Sequence, residues 1–180
     1  MKLFKYEGYK ITISEEALLL KPFKAIWKRD KSQNKETAMR ELGFIYFFCD
    51  VRSDYQYIVD PEDRMEEIKI GEGFPKSWKP DSLVKEAIDF YNSFKSSSVL
   101  LLEDTRKAVS KFRSMLDEID FMATDNNGKP LYPMNTVLST IAKVPDLVKA
   151  LDEAERSIAK EIAQNDKVRG AQTKSIYEDF

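Results

Sequence analysis

The residues of this chain that could take part in chemistry are carboxylates, lysines, tyrosines and the single cysteine, Cys49. Histidine is absent, so the usual general base, the usual proton shuttle and the commonest transition-metal ligand are missing together. One cysteine without histidine cannot complete a zinc site, and Ser-His-Asp and Cys-His catalysis are excluded as well. The remaining types do not forbid catalysis, but no catalytic motif accompanies them. We predict that the protein is not an enzyme and has no cofactor or metal site.

The segment Thr124–Pro133 resembles a calcium loop in its acidic and amide residues around Gly128. With Gly128 at the sixth position, however, Ala123 takes the first place and Met134 the twelfth, where a calcium loop needs carboxylates. The calcium hypothesis therefore fails. We interpret the segment as a tight turn between two helices, because Asp, Asn, Gly and Pro are the residues that turns prefer.

Aromatic residues are concentrated between Phe44 and Tyr57, a stretch that holds six of the 21 in the chain. Aromatic side chains at this density are usually buried against a neighbouring element or a neighbouring subunit. Tyr55 and Tyr57, near the end of the stretch, are candidate partner-binding residues.

Charge is distributed unevenly along the chain. Residues 1–41 carry ten basic and six acidic side chains, a net charge of +4, which leaves −6 for the rest of a chain whose total is −2. Lys24 and Lys28 in this basic region are candidates for contact with an acidic protein partner, and a solvated face is the plainer interpretation. Nucleic-acid binding is disfavoured because the chain as a whole is acidic, with a pI of about 5.5. In a continuous helix five lysines would share one face, which Pro22 makes doubtful: Lys21, Lys24, Lys28, Lys31 and Lys35.

Hydrophobic residues recur with a helical period over most of the chain, which predicts an all-α fold: mainly a helical bundle with long helices and extended termini. A possible short strand at Tyr9–Ile13 is the exception. Asp60 followed by Pro61 is a typical helix start. The serines at 96–98 predict a break or kink before the longest helix. We predict helices over about 15–20, 23–28, 35 into the aromatic stretch, a short one from 61, 80–95, 99–122, 134–143 and 145–165.

A chain of 180 residues can bury roughly 70% of its unfolded surface, so we predict a single helical domain over residues 1–166. No run of about 18 apolar residues is available to span a membrane. The first residues lack the apolar core of a signal peptide, and one cysteine agrees with a reducing compartment. These features predict a protein made and kept in a cytoplasm, or in a particle assembled there.

The segment 167–180 has no helical stripe and contains Gly170, so we expect an extended C-terminal tail. It ends in three residues spaced like pocket anchors: Ile176, Tyr177 and Phe180. A frayed chain end and a peptide that becomes ordered on a partner or a neighbouring subunit are both open interpretations.

Several segments together resemble small virion structural proteins of large tailed bacteriophages, in particular those of the crAss-like phages of gut Bacteroidetes. The resemblance covers about residues 14–64 and the last dozen residues. The middle helices carry only generic patterning. The segments concerned are Phe23–Asp30, Gly43–Asp50, Arg52–Tyr55, Asp60–Arg64, Lys167–Gly170 and Ser175–Asp179.

This resemblance implies a head-to-tail connector component: a neck or ring protein beneath the portal, mainly helical, that forms homo-oligomeric rings around the DNA channel. The implied partners are further copies of the chain, the portal and other neck and tail proteins. DNA would be passing cargo without specific binding, and no membrane is involved. The implied location is the virion, assembled in the host cytoplasm. The alternative is a soluble helical adaptor or regulatory protein that binds another protein through the aromatic stretch or the tail.

Overall fold

Helices make up most of the computed structural model, which describes residues 3–8, 10–120 and 122–170. The predicted mainly all-α fold is confirmed. The chain divides into two units, residues 1–95 and 96–180. Compactness alone does not show whether two units unfold separately, so the single domain over residues 1–166 stays a prediction.

The first unit contains a hairpin followed by five helices. Its elements are β1 (Phe4–Glu7), β2 (Lys10–Ile13), α1 (Glu15–Leu19), α2 (Lys21–Arg29), α3 (Glu36–Cys49), α4 (Pro61–Gly71) and α5 (Ser82–Asn92). The second unit contains α6 (Ser97–Glu118), α7 (Met134–Ile141) and α8 (Val144–Gly170).

Helix starts in both units are stabilised by side chains that accept hydrogen bonds from the first turn. Ser14 accepts from the amide of Ala17 at the start of α1. Asp60 accepts from two amides at the start of α4, as its position before Pro61 predicted. Ser96 caps α6, which confirms the predicted break before the longest predicted helix. Such caps are each worth roughly 1 kcal/mol.

The strand β1 was not predicted. The strand β2 lies within the strand predicted at 9–13. Residue 9 of that prediction lies outside the described residues. β1 pairs antiparallel with β2, and Phe4 stands opposite Ile13. Phe4 is buried, and its ring centroid lies 5.6 Å from that of Phe23 on α2. The hairpin therefore closes over the core formed by the helices.

Pro22 lies in the first turn of α2 rather than between two helices. A proline is tolerated there because the first-turn amides have no partner inside the helix. The helix ends at Arg29, so Lys31 and Lys35 lie beyond it and the continuous five-lysine face does not form. Lys35 adopts the left-handed backbone conformation just before α3.

α3 forms the centre of the first unit. Every residue from Leu42 to Phe47 is buried, so this part of the helix is enclosed by the unit. The ring of Phe44 lies 4.8 Å from that of Trp78, in the irregular segment between α4 and α5. Trp27 of α2 also packs against this core. Aromatic contacts of this kind add roughly 1 kcal/mol each beyond the area they bury.

The second unit is built on the pairing of α6 with α8. Arg106 of α6 and Glu155 of α8 form an ion pair, with a nitrogen–oxygen distance of 2.8 Å. Leu102, Val137 and Ile158 are buried. α8 continues to Gly170, three residues past Lys167, where the tail was predicted to begin. The rest of the predicted tail, residues 171–180, lies outside the described residues.

The segment 124–133 forms a tight turn, as interpreted from its sequence. Thr124 and Pro130 form an isolated antiparallel bridge, and Gly128 has a φ of 74°. The Asp125 carboxylate accepts hydrogen bonds from the amides of Asn127 and Lys129, both at 2.8 Å. This carboxylate holds the turn together.

Within the described part of the chain, no helix combines the length and the apolar character that a membrane span requires.

Candidate protein-interaction surface

Three of the residues predicted to contact a partner lie on the surface of the first unit: two lysines and Tyr57. Lys24 and Lys28 are exposed, and their spacing of four places them on one face of α2. Tyr57 is 75% exposed and follows the aromatic stretch in the connection to α4. These three side chains remain available to a partner. The three predicted tail anchors, Ile176, Tyr177 and Phe180, lie outside the described residues.

Tyr55 is held within its own unit. Its ring centroid lies 5.4 Å from that of Phe47, and its hydroxyl donates a hydrogen bond to Glu72 Oε1 at 3.1 Å. Burial and the nearby Glu72 carboxylate raise the pKa of Tyr55 to about 12. Tyr55 thus fastens the segment before α4 to the segment after it.

The aromatic stretch is buried against elements of its own unit. Phe44, Tyr46 and Phe47 are each less than 5% exposed. Of the two interpretations of their density, packing against a neighbouring element is the one that the structure shows for these three residues. An adaptor could not bind its partner through them without opening the core.

A buried polar network ends the aromatic helix. The Asp50 carboxylate accepts two hydrogen bonds from the Arg52 guanidinium, at 2.9 and 2.6 Å, and one from the Tyr91 hydroxyl at 2.6 Å. Burial alone would raise the pKa of Asp50, but the hydrogen bonds and charge of Arg52 outweigh it and the pKa is lowered. Burial and the Asp50 charge raise the pKa of Tyr91. Because each partner is satisfied within the network, its role is structural: it connects α3 to α5.

Six exposed apolar side chains described in the second unit lie on α7 and in residues 122–132 before it. These side chains are between 42% and 87% exposed. We call this region the α7 surface: Met122, Leu131, Tyr132, Met134, Leu138 and Ile141.

Half of the α7 surface lies on one face of the helix itself. Met134, Leu138 and Ile141 are spaced four and three residues apart, so they share one face. Val137 at the edge of this face is buried, and it is the residue of α7 that belongs to the core of the unit. A helix of this length would normally turn its apolar face inward. In α7 this apolar face is exposed to solvent.

Charged residues are absent from the part of the chain that forms most of this surface. No Asp, Glu, Lys or Arg occurs from Pro130 to Ala142, although such residues make up 33% of the chain. Exposed apolar side chains that share a helix face are candidates for an interaction site. The helical pattern predicted a helix at 134–143, but nothing in it assigned a face to that helix. The uncharged stretch, together with the four-and-three spacing, was the signal that could have identified the surface.

No three His, Cys, Asp or Glu side chains come together in a group that could hold a metal ion, within the residues that the structure describes. Comparisons of the chain with protein-family models, curated proteins and solved structures found no match.

Proposed function

We propose that this protein is a structural component of a tailed-phage virion: a neck or connector ring subunit that joins the portal to the tail around the DNA channel. The observation that carries the proposal is the α7 surface, an uncharged apolar helix face open to solvent. The sequence resemblance to phage connector proteins supports the same role. An assembly subunit needs contact surfaces and no active site.

The energetics favour covering the α7 surface in an assembly. Burying one Leu or Met side chain completely is worth roughly 1.5–3 kcal/mol. Six partly exposed side chains can therefore supply a substantial gross gain, from which the cost of immobilising two proteins is subtracted. Repetition in a closed ring offsets that cost, because each subunit is held by two neighbours.

The proposed partners are further copies of this chain, the portal and other neck and tail proteins. A ring closes only if each subunit offers two different surfaces, one to each neighbour. The α7 surface is one candidate, and the exposed lysines of α2 on the first unit are another. DNA is proposed as passing cargo, since the chain as a whole is acidic.

The test is to image purified phage particles labelled with gold-conjugated antibody raised against this chain. We expect label at the junction of head and tail, in intact particles or after opening them. Mass spectrometry of the same particles should detect the chain at many copies per virion. Absence from both intact and opened particles would contradict the proposal and favour the adaptor alternative.

A further inference from the structure

A cleft of about 370 Å³ lies in the first unit between the β1–β2 hairpin, α3 and the residue that follows α4. Phe44 and Phe47 of α3 contribute its aromatic lining, together with Tyr6 of the hairpin. The lining also includes three charged residues: Lys10, Arg40 and Glu72. We call this the hairpin cleft.

The lining of the hairpin cleft depends on a glycine. A Cβ atom added to Gly43 would lie 3.2 Å from Cδ1 of Ile11, closer than most such contacts. Glycine therefore allows β2 to approach α3 without a side chain between them. The rings of Phe44 and Phe47 form the buried floor of the cleft, whereas the ring of Tyr6 beside them is half-buried.

The cleft presents more positive than negative charge. Lys10 and Arg40 are exposed, and the ion pairs formed among the described residues do not include either of them. The Arg40 guanidinium lies 5.9 Å from the ring centroid of Phe74. Glu72 accepts a hydrogen bond from Tyr55, and burial raises its pKa. A ligand that combines aromatic rings with carboxylates would match this arrangement.

The chain itself contains such a sequence in residues 176–180, Ile-Tyr-Glu-Asp-Phe. We infer that the hairpin cleft of one subunit binds residues 176–180 of a second copy of this chain. Glu178 and Asp179 would face Lys10 and Arg40, and an aromatic side chain of the tail would pack against the half-buried ring of Tyr6. This inference rests on the proposed function, because it names a contact by which neighbouring subunits hold one another.

The difference between the two surfaces is what makes a second copy a suitable source of the tail. Tail and cleft are different surfaces, so their contact is head-to-tail and passes from each subunit to the next. Contacts of this type generate closed rings.

The first experiment measures binding of a fluorescent peptide of residues 171–180 to the full-length chain carrying Glu178→Lys and Asp179→Lys. The reversed charges keep that chain's own tail out of the cleft. We expect saturable binding by fluorescence anisotropy. Adding Lys10→Glu and Arg40→Glu to the receptor should weaken it about tenfold or more, because attraction becomes repulsion at two positions.

Two controls make this measurement specific. Reversing Lys76 and Lys85, exposed lysines of the same unit outside the cleft, should change the affinity by less than about twofold. A peptide with Tyr177→Ala and Phe180→Ala should lose most of its binding. The inference would be overturned by an absence of saturable binding, or by an affinity that Lys10→Glu and Arg40→Glu leave unchanged.

The second experiment separates docking between copies from docking within one chain. Full-length chains with the reversed cleft or the reversed tail should each self-associate about tenfold more weakly in analytical ultracentrifugation. Mixing the two should restore association, since each variant's tail then matches the other's cleft. No recovery on mixing would place the tail in its own chain's cleft and overturn the inference.

The two proposals can fail separately. Peptide binding to the cleft with no label on particles would retain this contact and reject the virion role. Label at the head-to-tail junction with no peptide binding would retain the virion role and reject this contact.

Discussion

Phe47 and Tyr57 belong to the same aromatic stretch but occupy opposite environments. Phe47 is 3% exposed, in contact with rings from the hairpin and from the segment before α4, whereas Tyr57 is 75% exposed. Composition alone treats the two residues alike. To tell the buried residue from the exposed one, it is necessary to know which side chains of the stretch point into the core.

Replacing Phe47 with Asp should unfold the first unit. The change removes a large buried ring and places a carboxylate where it has no partner, at a cost of more than about 4 kcal/mol. Domains of this size are stable by only about 5–15 kcal/mol. Chemical denaturation followed by circular dichroism measures the effect. The matched variant Tyr57→Asp should shift stability by no more than about 0.5 kcal/mol.

A folded Phe47→Asp variant of near wild-type stability would contradict the burial described above. It would instead indicate that Phe47 faces a neighbouring subunit.

Asp50 should make the stability of the first unit sensitive to acid. Its pKa is lowered in the folded protein, so its contribution is fully present above the ordinary carboxyl pKa of 3.8 and is lost as the pH falls through the lower folded value. Asp50→Asn should cost about 3 kcal/mol at pH 7, because Arg52 loses its charged partner. The variant should then lose less stability than the wild type between pH 5 and pH 3.

Denaturation midpoints at several pH values test this expectation. Asp146→Asn, in the first turn of α8, is a suitable control because this residue is exposed. An Asp50→Asn variant with the same acid dependence as the wild type would show that the network does not hold the carboxylate in its charged form.

Helices were the elements that the sequence predicted best. Ser14, Asp60 and Ser96 each mark a helix start, because capping depends on residues within one turn of each other. β1 escaped prediction since it is short and is stabilised by pairing with β2 and by the burial of Phe4. A local sequence pattern shows helix caps and helical periodicity, but it does not show which strand another strand will pair with.

The candidate sites could be predicted less well, for the same physical reason. The hairpin cleft brings together Lys10, Arg40 and Glu72, which are far apart in the sequence and acquire a common surface only in the folded unit. The α7 surface is local, yet its exposure depends on how few neighbours the second unit supplies. Of the predicted partner residues in the described chain, Tyr55 proved to be held inside the unit while Lys24, Lys28 and Tyr57 remained exposed.

The α7 surface should govern association without governing the fold. Leu138→Lys combined with Ile141→Lys replaces two exposed side chains, so stability should change by less than about 1 kcal/mol. Self-association should fall by about tenfold or more, because charges would be buried in the contact. Sedimentation velocity with far-ultraviolet circular dichroism measures both quantities.

Leu19→Lys is the matched control for this experiment. Leu19 lies on α1 of the first unit and is 76% exposed, but it does not belong to the α7 surface. Equal effects of the two sets of changes would argue for nonspecific association. An unchanged sedimentation profile for the α7 variant would exclude that surface as a contact between copies.

At the scale of the whole molecule, the two units differ in how much apolar surface they enclose. The first has a continuous aromatic core, and its isolated fragment, residues 1–95, should fold cooperatively. The second buries few large side chains among those described and leaves the α7 surface open. A protein divided in this way can keep one unit rigid while the other gains stability on assembly.

Both tryptophans of the chain, Trp27 and Trp78, lie against the core of the first unit. Selectively excited tryptophan fluorescence therefore reports on that unit alone, whereas far-ultraviolet ellipticity also records the long helices α6 and α8. If the units melt independently, the ellipticity transition should begin at a lower denaturant concentration than the emission change. Coincident curves would mean that the chain unfolds as one cooperative body. The positions of the two indoles thus make tryptophan emission a natural probe for the unfolding of the first unit only.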